Sequence, residues 1–185
     1  MNIDETAFYS RFSKFLRDFF KCHYSDDRRI LWGKQPDVLG VRFEVKGGLA
    51  LHLYLVEVKI LNSLEAAYNL IGEMETRIAS FRKYNTIFYS LHPYLGVLEI
   101  NSCKEIREYA ENRRVGIIRV EGNSLSFERE STPILSNKIL SNKDFKEQGW
   151  IKDDGEARIL KEVMKVIDWQ CWKSILESSS IHNAW

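Results

Sequence analysis

Three residues, Asp37, Glu57 and Lys59, have the types and spacing to do chemistry on a phosphodiester. Asp37 follows Pro36. Glu57 and Lys59 belong to the run Glu57-Val58-Lys59, which closes an apolar stretch from Leu49 to Val56. Hydrolysing a phosphodiester needs a nucleophilic water and relief of the negative charge that grows on the phosphate in the transition state. A pair of carboxylates can seat a hard divalent cation, Mg²⁺ or Mn²⁺, which prefers oxygen and keeps several waters. Such an ion lowers the pKa of a bound water and polarises the phosphate. The lysine can then orient or help deprotonate that water, or hold the phosphate. A neighbouring cation disfavours the charged form of a lysine, which is compatible with proton transfer.

The elements that must position these groups read as a β-hairpin over residues 37–60. Asp37, Leu39, Val41, Phe43 and Val45 share one face of the first strand by its two-residue period, and Leu49, Leu51, Leu53, Leu55, Glu57 and Lys59 share one face of the second. Lys46-Gly47-Gly48 lies between them. A three-residue loop commonly needs a left-handed residue, a conformation that glycine adopts without steric cost. Closing the hairpin there sets Val45 against Leu49, Phe43 against Leu51, Val41 against Leu53 and Leu39 against Leu55. Asp37 then faces Glu57, with Lys59 next along the same face. Directly opposed residues have Cβ atoms roughly 4.5–5.5 Å apart, and two carboxylates that close repel unless a cation lies between them. A one-residue slip would put Asp37 on the wrong side and mix apolar with polar pairs.

Other copies of the acid-x-Lys spacing lack this setting. Glu44-Val45-Lys46 lies at the turn end of the hairpin, and Asp144-Phe145-Lys146 has neither a Pro-Asp partner nor an apolar strand before it. Pro36-Asp37 followed by Glu57-Val58-Lys59 across a hairpin resembles the active site of the PD-(D/E)xK, or restriction-endonuclease-like, nuclease superfamily. The resemblance implies a Mg²⁺- or Mn²⁺-dependent endonuclease, with Asp37, Glu57 and the backbone carbonyl of Val58 as metal ligands and Lys59 beside them. Related families place an acid on the first helix near the metal, and Glu5 matches that role by position. Alternatively, Asp4 and Glu5 only complement the dipole at a helix start. Lys34, Arg42 and Arg77 are the candidate phosphate contacts, although most surface basic residues have no such role. His52 falls on the strand face opposite Glu57 and should not reach the metal. No Gly-rich phosphate loop and no nucleophile–histidine signature is present in the sequence.

At 185 residues, the chain has the length of one ordinary domain and can bury a proper core. The 27 Lys and Arg against 26 Asp and Glu exclude a surface that is basic all over, so a nucleic-acid site must be a local cleft of positive charge. No apolar stretch is long enough to span a bilayer, and the start lacks a signal peptide's pattern. Cys22, Cys103 and Cys171 form no zinc pattern and read as reduced, buried thiols of a cytoplasmic protein.

The remaining pattern predicts a helix over residues 4–22 with a stripe of Phe8, Phe12, Phe15, Leu16, Phe19 and Phe20. A short strand is expected over 29–32, ahead of the hairpin. A helix follows, capped by Asn62 with Glu65, then a strand over 86–91 stopped by Pro93. A helix over 104–112 and strands over 115–120 and 125–128 complete the order. This order predicts an α/β fold, a three-layer sandwich with a central mixed β-sheet. It is also the αβββαβ order of the nuclease core, so the resemblance covers roughly residues 4–120. Residues 1–130 form the expected core and residues 131–185 an extension. In that extension the repeated Ile-Leu-Ser-Asn-Lys of residues 134–143 reads as a loop and residues 154–177 as a helix packed on the core. Trp150, Trp169, Trp172 and Trp185 are core residues of that tail or, alternatively, a homodimer face, because aromatics are enriched at interfaces. The expected partner is DNA. The alternative is a catalytically inactive nuclease-fold protein serving as a nucleic-acid-binding or assembly subunit.

Overall fold

The computed structural model describes residues 5–27, 35–45, 49–83, 88–99, 103–122 and 124–140. In chain order, the elements are α1 (Thr6–Asp18), β1 (Tyr24–Asp27), β2 (Val38–Val45), β3 (Leu49–Leu61), α2 (Leu64–Arg82), β4 (Ser90–Glu99), α3 (Lys104–Arg113), β5 (Gly116–Glu121), β6 (Ser124–Arg129), β7 (Ile134–Leu135) and β8 (Ile139–Leu140). The described residues thus make an α/β protein of three helices and an eight-stranded mixed sheet. Its main order is β1-β2-β3-β4-β5-β6, with β7 on β4 and β8 on β3.

The hairpin forms in the expected register. Val45 pairs with Leu49, Phe43 with Leu51, Val41 with Leu53, Leu39 with Leu55 and Val38 with Val56. β3 is the central strand, flanked by β2 antiparallel and β4 parallel, and its residues from Leu49 to Val58 are all buried. That burial on both faces explains why it reads as a nearly unbroken apolar run. Helices α2 and α3 are the crossovers that parallel pairing of β3 with β4 and of β4 with β5 requires.

One face of the sheet carries Leu39, Val41, Leu51, Leu53, Leu55 and Leu91 against Phe81 of α2, and beyond them Leu61, Leu95, Val97 and Ile117 against Leu70, Met74, Ile78, Ile106 and Ala110 of α2 and α3. The other face carries Val38, Tyr54, Val56, Val58, Tyr94 and Leu98 against Tyr9, Phe12 and Leu16 of α1. The two faces are the odd and even residues of β3, as the pleat dictates. Helix α1 approaches the sheet closely at two glycines. A Cβ on Gly40 would lie 2.9 Å from Leu16 Cδ1, and one on Gly96 would lie 2.8 Å from Phe12 Cζ.

Several elements differ from the sequence expectation. Helix α1 stops at Asp18, and Lys21 takes a left-handed φ of 56°. Its buried stripe is Tyr9, Phe12, Ser13 and Leu16, while Phe19, past the helix end, is 55% exposed. The expected strand over 29–32 lies outside the described residues. The edge strand is β1, whose residues Tyr-Ser-Asp-Asp carry no apolar alternation. It is fixed instead by a buried contact between Ser25 and Ser13, Oγ to Oγ 2.9 Å. Ser63 rather than Asn62 caps α2, accepting from the Ala66 N–H at 3.1 Å. Pro93 does not stop a strand, because it lies inside β4, opposite Leu55. On the other side of β4, β7 pairs with Ser90 and Leu91 and β5 begins at Tyr94, so the proline falls in the gap between them. The two Ile-Leu pairs of the repeat, expected in a loop, form β7 and β8. β8 lies against Leu49 and Ala50, and its Leu140 is buried in the core. The expected helix over 154–177, the four tail tryptophans and Cys171 lie outside the described residues. Cys22 and Cys103 are buried free thiols. Among the described residues, no helix is long and apolar enough to cross a membrane.

Candidate active site

The register of the hairpin carries Asp37 and Glu57 to the same end and the same face of the sheet, the face covered by α2. Asp37 stands one residue before β2. Its Oδ2 accepts the Val58 N–H at 2.8 Å, which ties the carboxylate to the outgoing strand beside Glu57. Glu57 is 1% exposed. Burial and then the neighbouring charge of Asp37 push its pKa up from 4.5 to about 7, against the opposing pull of Arg77. The cost of burying a carboxylate is thus only partly relieved.

Among the described residues, two cations reach the cluster. Arg77 of α2 donates from Nε to Glu57 Oε1 at 2.5 Å. Lys59 lies two residues beyond Glu57 on the same face, with its Nζ 3.7 Å from Glu73 Oε1 and 3.8 Å from Glu5 Oε2. Glu5, at the cap position of α1, also accepts the Ile60 N–H at 3.1 Å. The role expected for Glu5 at the dipole of its own helix is therefore joined by a contact to β3 and Lys59. Among the described residues, four carboxylates (Asp37, Glu57, Glu5, Glu73) face two cations (Lys59, Arg77), an excess of about two negative charges when all are ionised.

That excess and the all-oxygen donor set fit a hard divalent cation more than a transition metal that seeks sulfur or nitrogen. Mg²⁺ commonly binds through one or two carboxylates and retains several waters, so Asp37 and Glu57 are a sufficient protein donor set. Among the described residues, no three His, Cys, Asp or Glu side chains are gathered closely enough to form an all-protein cage. Arg77 already neutralises one oxygen of Glu57, so an ion here would share that carboxylate with the guanidinium.

The other sequence candidates lie elsewhere. Arg42 belongs to the opposite face of β2 and pairs with Glu44 at 3.0 Å, away from Asp37 and Glu57. Lys34 lies outside the described residues. Arg77 is brought to the site, but as a partner of Glu57. His52 is on the opposite face, as expected, with its Nδ1 2.7 Å from Ser90 Oγ. Sequence reading missed Glu73. It lies four residues before Arg77, on the side of α2 that also holds Ala66 and Asn69, and that i, i+4 spacing was the available signal. Glu75 of α2 bonds to the Tyr109 hydroxyl at 2.9 Å and to Arg113 at 3.0 Å, joining α2 to α3.

Beside the cluster, an open pocket of about 440 Å³ lies at the end of β3, lined by Lys59 and Ile60 of the strand, Glu5 and Thr6 of α1, and residues between Asn62 and Asn69. The ends of parallel strands beside the following helix are where open α/β sheets commonly bind ligands.

No protein-family model and no curated protein matches the chain. Among solved structures, it is similar to the SPO1766 protein of unknown function from Silicibacter pomeroyi, at 12% identity over 89% of this chain and 92% of that one, with a TM-score of 0.43. A likeness of that strength carries no argument about function.

Proposed function

We propose that this chain is a metal-dependent nuclease that hydrolyses phosphodiester bonds in DNA, built on a restriction-endonuclease-like αβββαβ core. The observation that carries the reading is the hairpin register, with Val38 opposite Val56, which sets Asp37 and a buried Glu57 side by side next to Lys59. Asp37 and Glu57 would hold Mg²⁺ or Mn²⁺, with the Val58 carbonyl as a further ligand by analogy with the superfamily. The bound ion supplies an activated water and charge relief at the phosphate. Lys59, held by Glu5 and Glu73, presents its ammonium donors to the phosphate or the attacking water. Arg77 holds one oxygen of Glu57 and so fixes the orientation of that carboxylate.

The second reading is an inactive nuclease-fold subunit that binds nucleic acid or assembles with other proteins. It is favoured by the Arg77–Glu57 pair, since a guanidinium can substitute permanently for a metal. Plasmid nicking in Mg²⁺ or Mn²⁺ separates the two. Cleavage by the wild type, lost in Glu57→Ala and Lys59→Ala, supports the enzyme. If the wild type cuts no form of DNA in either metal, the subunit reading replaces it.

A further inference from the structure

We propose that His52, Ser90 and His92 form an acid-sensitive latch, which holds the start of β4 and the β7–β8 strap in place until a second proton enters the three side chains. The inference does not depend on the nuclease reading.

The register of β3 with β4 sets His52 opposite Ser90 and Tyr54 opposite His92, on the sheet face away from Glu57. Ser90 Oγ lies 2.7 Å from His52 Nδ1 and 2.8 Å from His92 Nε2, so one hydroxyl bridges two imidazoles. His52 is 5% exposed and Ser90 2%. The same corner carries the strap. β7 pairs with Ser90 and Leu91 of β4, and β8 with Leu49 and Ala50 of β3. Between β7 and β8, Ser136 and Asn137 each donate an N–H to the Tyr89 carbonyl at 3.0 Å, and the Tyr89 N–H donates to the Leu51 carbonyl at 2.7 Å.

Proton counting gives the latch its sensitivity. A serine hydroxyl has one proton to donate and two lone pairs to accept with. Both contacts are hydrogen bonds when one imidazole nitrogen carries a proton toward Ser90 and the other is bare. Two neutral rings meet that condition. So does one added proton on His52, which then donates from Nδ1 to Ser90 and turns its Nε2–H toward Glu44 Oε2, 3.6 Å away, while Ser90 donates on to His92. A second proton breaks the chain. Both rings then donate to one oxygen, the hydroxyl proton has no acceptor within the chain, and two cations stand with ring centroids 6.2 Å apart.

The surroundings do not absorb that charge. From β2, Arg42 adds a positive charge, and Glu44 shares its carboxylate with Arg42 at 3.0 Å. The other titratable neighbours are Tyr54, Tyr89, Tyr94 and Cys22, phenols and a thiol that stay neutral in acid. β7 and β8 bring Leu135 and Ile139 to this face, which carry no charge. Burial first, then His52 and Arg42, bring the His92 pKa down from 6.5 to about 4. The stability that the neutral ring contributes is therefore complete above pH 6.5 and is lost as pH falls toward 4.

Long-range ¹H–¹⁵N spectra of the histidine rings and amide hydrogen exchange test this on the full chain between pH 7 and 3.5, with wild type, His92→Gln and Ser90→Ala. His92 should titrate at about 4 in the wild type. In Ser90→Ala it should titrate about one pH unit higher, because the neutral ring loses its donor. Protection of the Tyr89, Ser136 and Asn137 amides, corrected for intrinsic exchange, should fall roughly tenfold per pH unit between 6.5 and 4 in the wild type. His92→Gln cannot titrate, and its protection should stay level. A wild-type His92 that titrates near 6.5, or a Ser90→Ala variant that titrates as the wild type does, would overturn the latch. So would strap protection that is constant with pH in the wild type, that falls equally in His92→Gln, or that falls together with the amides of α2.

Discussion

Glu57→Gln tests the electrostatics of the cluster without relying on catalysis. The folded protein holds the Glu57 carboxyl at a pKa of about 7, against 4.5 when solvated. Below pH 4.5, both folded and unfolded chains carry the proton, and Glu57 adds no pH dependence. Between pH 4.5 and 7, the unfolded chain gives up its proton while the folded one keeps it, so stability falls as pH rises. Above pH 7, both are ionised and the loss is complete. At about 1.4 kcal/mol per pH unit, the displacement from 4.5 to about 7 amounts to roughly 3 kcal/mol. For a chain of this length, that is about 6–12 °C in melting temperature. Glutamine cannot titrate. The stability of wild type minus that of Glu57→Gln, from urea melts at half-unit steps between pH 4 and 8.5, should therefore decline by about 3 kcal/mol across this window and then level. Mn²⁺ favours the ionised carboxylate, so it should raise the wild-type melting temperature more at pH 8 than at pH 5, and barely at all in the variant. A flat difference curve, or one that rises with pH, would refute the assignment of Glu57 as a buried, undercompensated carboxylate.

Asp37→Ala and Lys59→Ala should each lower Mn²⁺-dependent nicking by a hundredfold or more, while circular dichroism and the urea midpoint show an intact fold, on the general scale of losses when charge-stabilising groups are removed. Ser63→Ala should cost about 1 kcal/mol in urea unfolding and Asn62→Ala almost nothing, because the Ser63 hydroxyl caps α2. Reversed values would restore Asn62 as the cap. Gly96→Ala should destabilise by about 1–3 kcal/mol, since its Cβ would fall 2.8 Å from Phe12 Cζ and 3.0 Å from Val58 Cγ2. An unchanged midpoint would mean that α1 does not pack against β4 as described.

The hairpin was legible because its information is local. Two glycines at the turn and an apolar ladder of period two admit one register, and that register sets Asp37 against Glu57. What could not be read depends on partners distant in sequence. β1 is polar and exists because β2 offers it an edge and Ser13 offers its Ser25 a bond. Pro93 reads as a stop in the sequence because the gap between β7 and β5 is a property of the assembled sheet. β7 and β8 are two residues each, too short for any periodicity. At the site, the strand residues were placed by pattern, while the helix residues were not. The sequence offers Arg77 as a candidate phosphate contact and gives no sign of Glu73 at the site, because the rotation of α2 over the sheet is set by Leu70, Met74 and Ile78 in the core.

The burial of Glu57 bears on the choice between an enzyme and a scaffold. A central strand that needed only to be buried would be served at this position by leucine, as at Leu55 and Leu61 on the same face. An ionised glutamate there lowers stability at neutral pH, and Arg77 compensates only part of the cost. Adding Asp37 on the facing strand makes the cost larger, since each carboxylate opposes ionisation of the other. Packing and ion pairing among the described residues therefore give no reason for the pair. The divalent cation proposed here would, because it would relieve both carboxylates at once. Strongly displaced carboxylates beside a cleft are characteristic of functional sites, although structural ion-pair networks also produce them. Among the described residues, four carboxylates face two cations here, beside a pocket that reaches solvent.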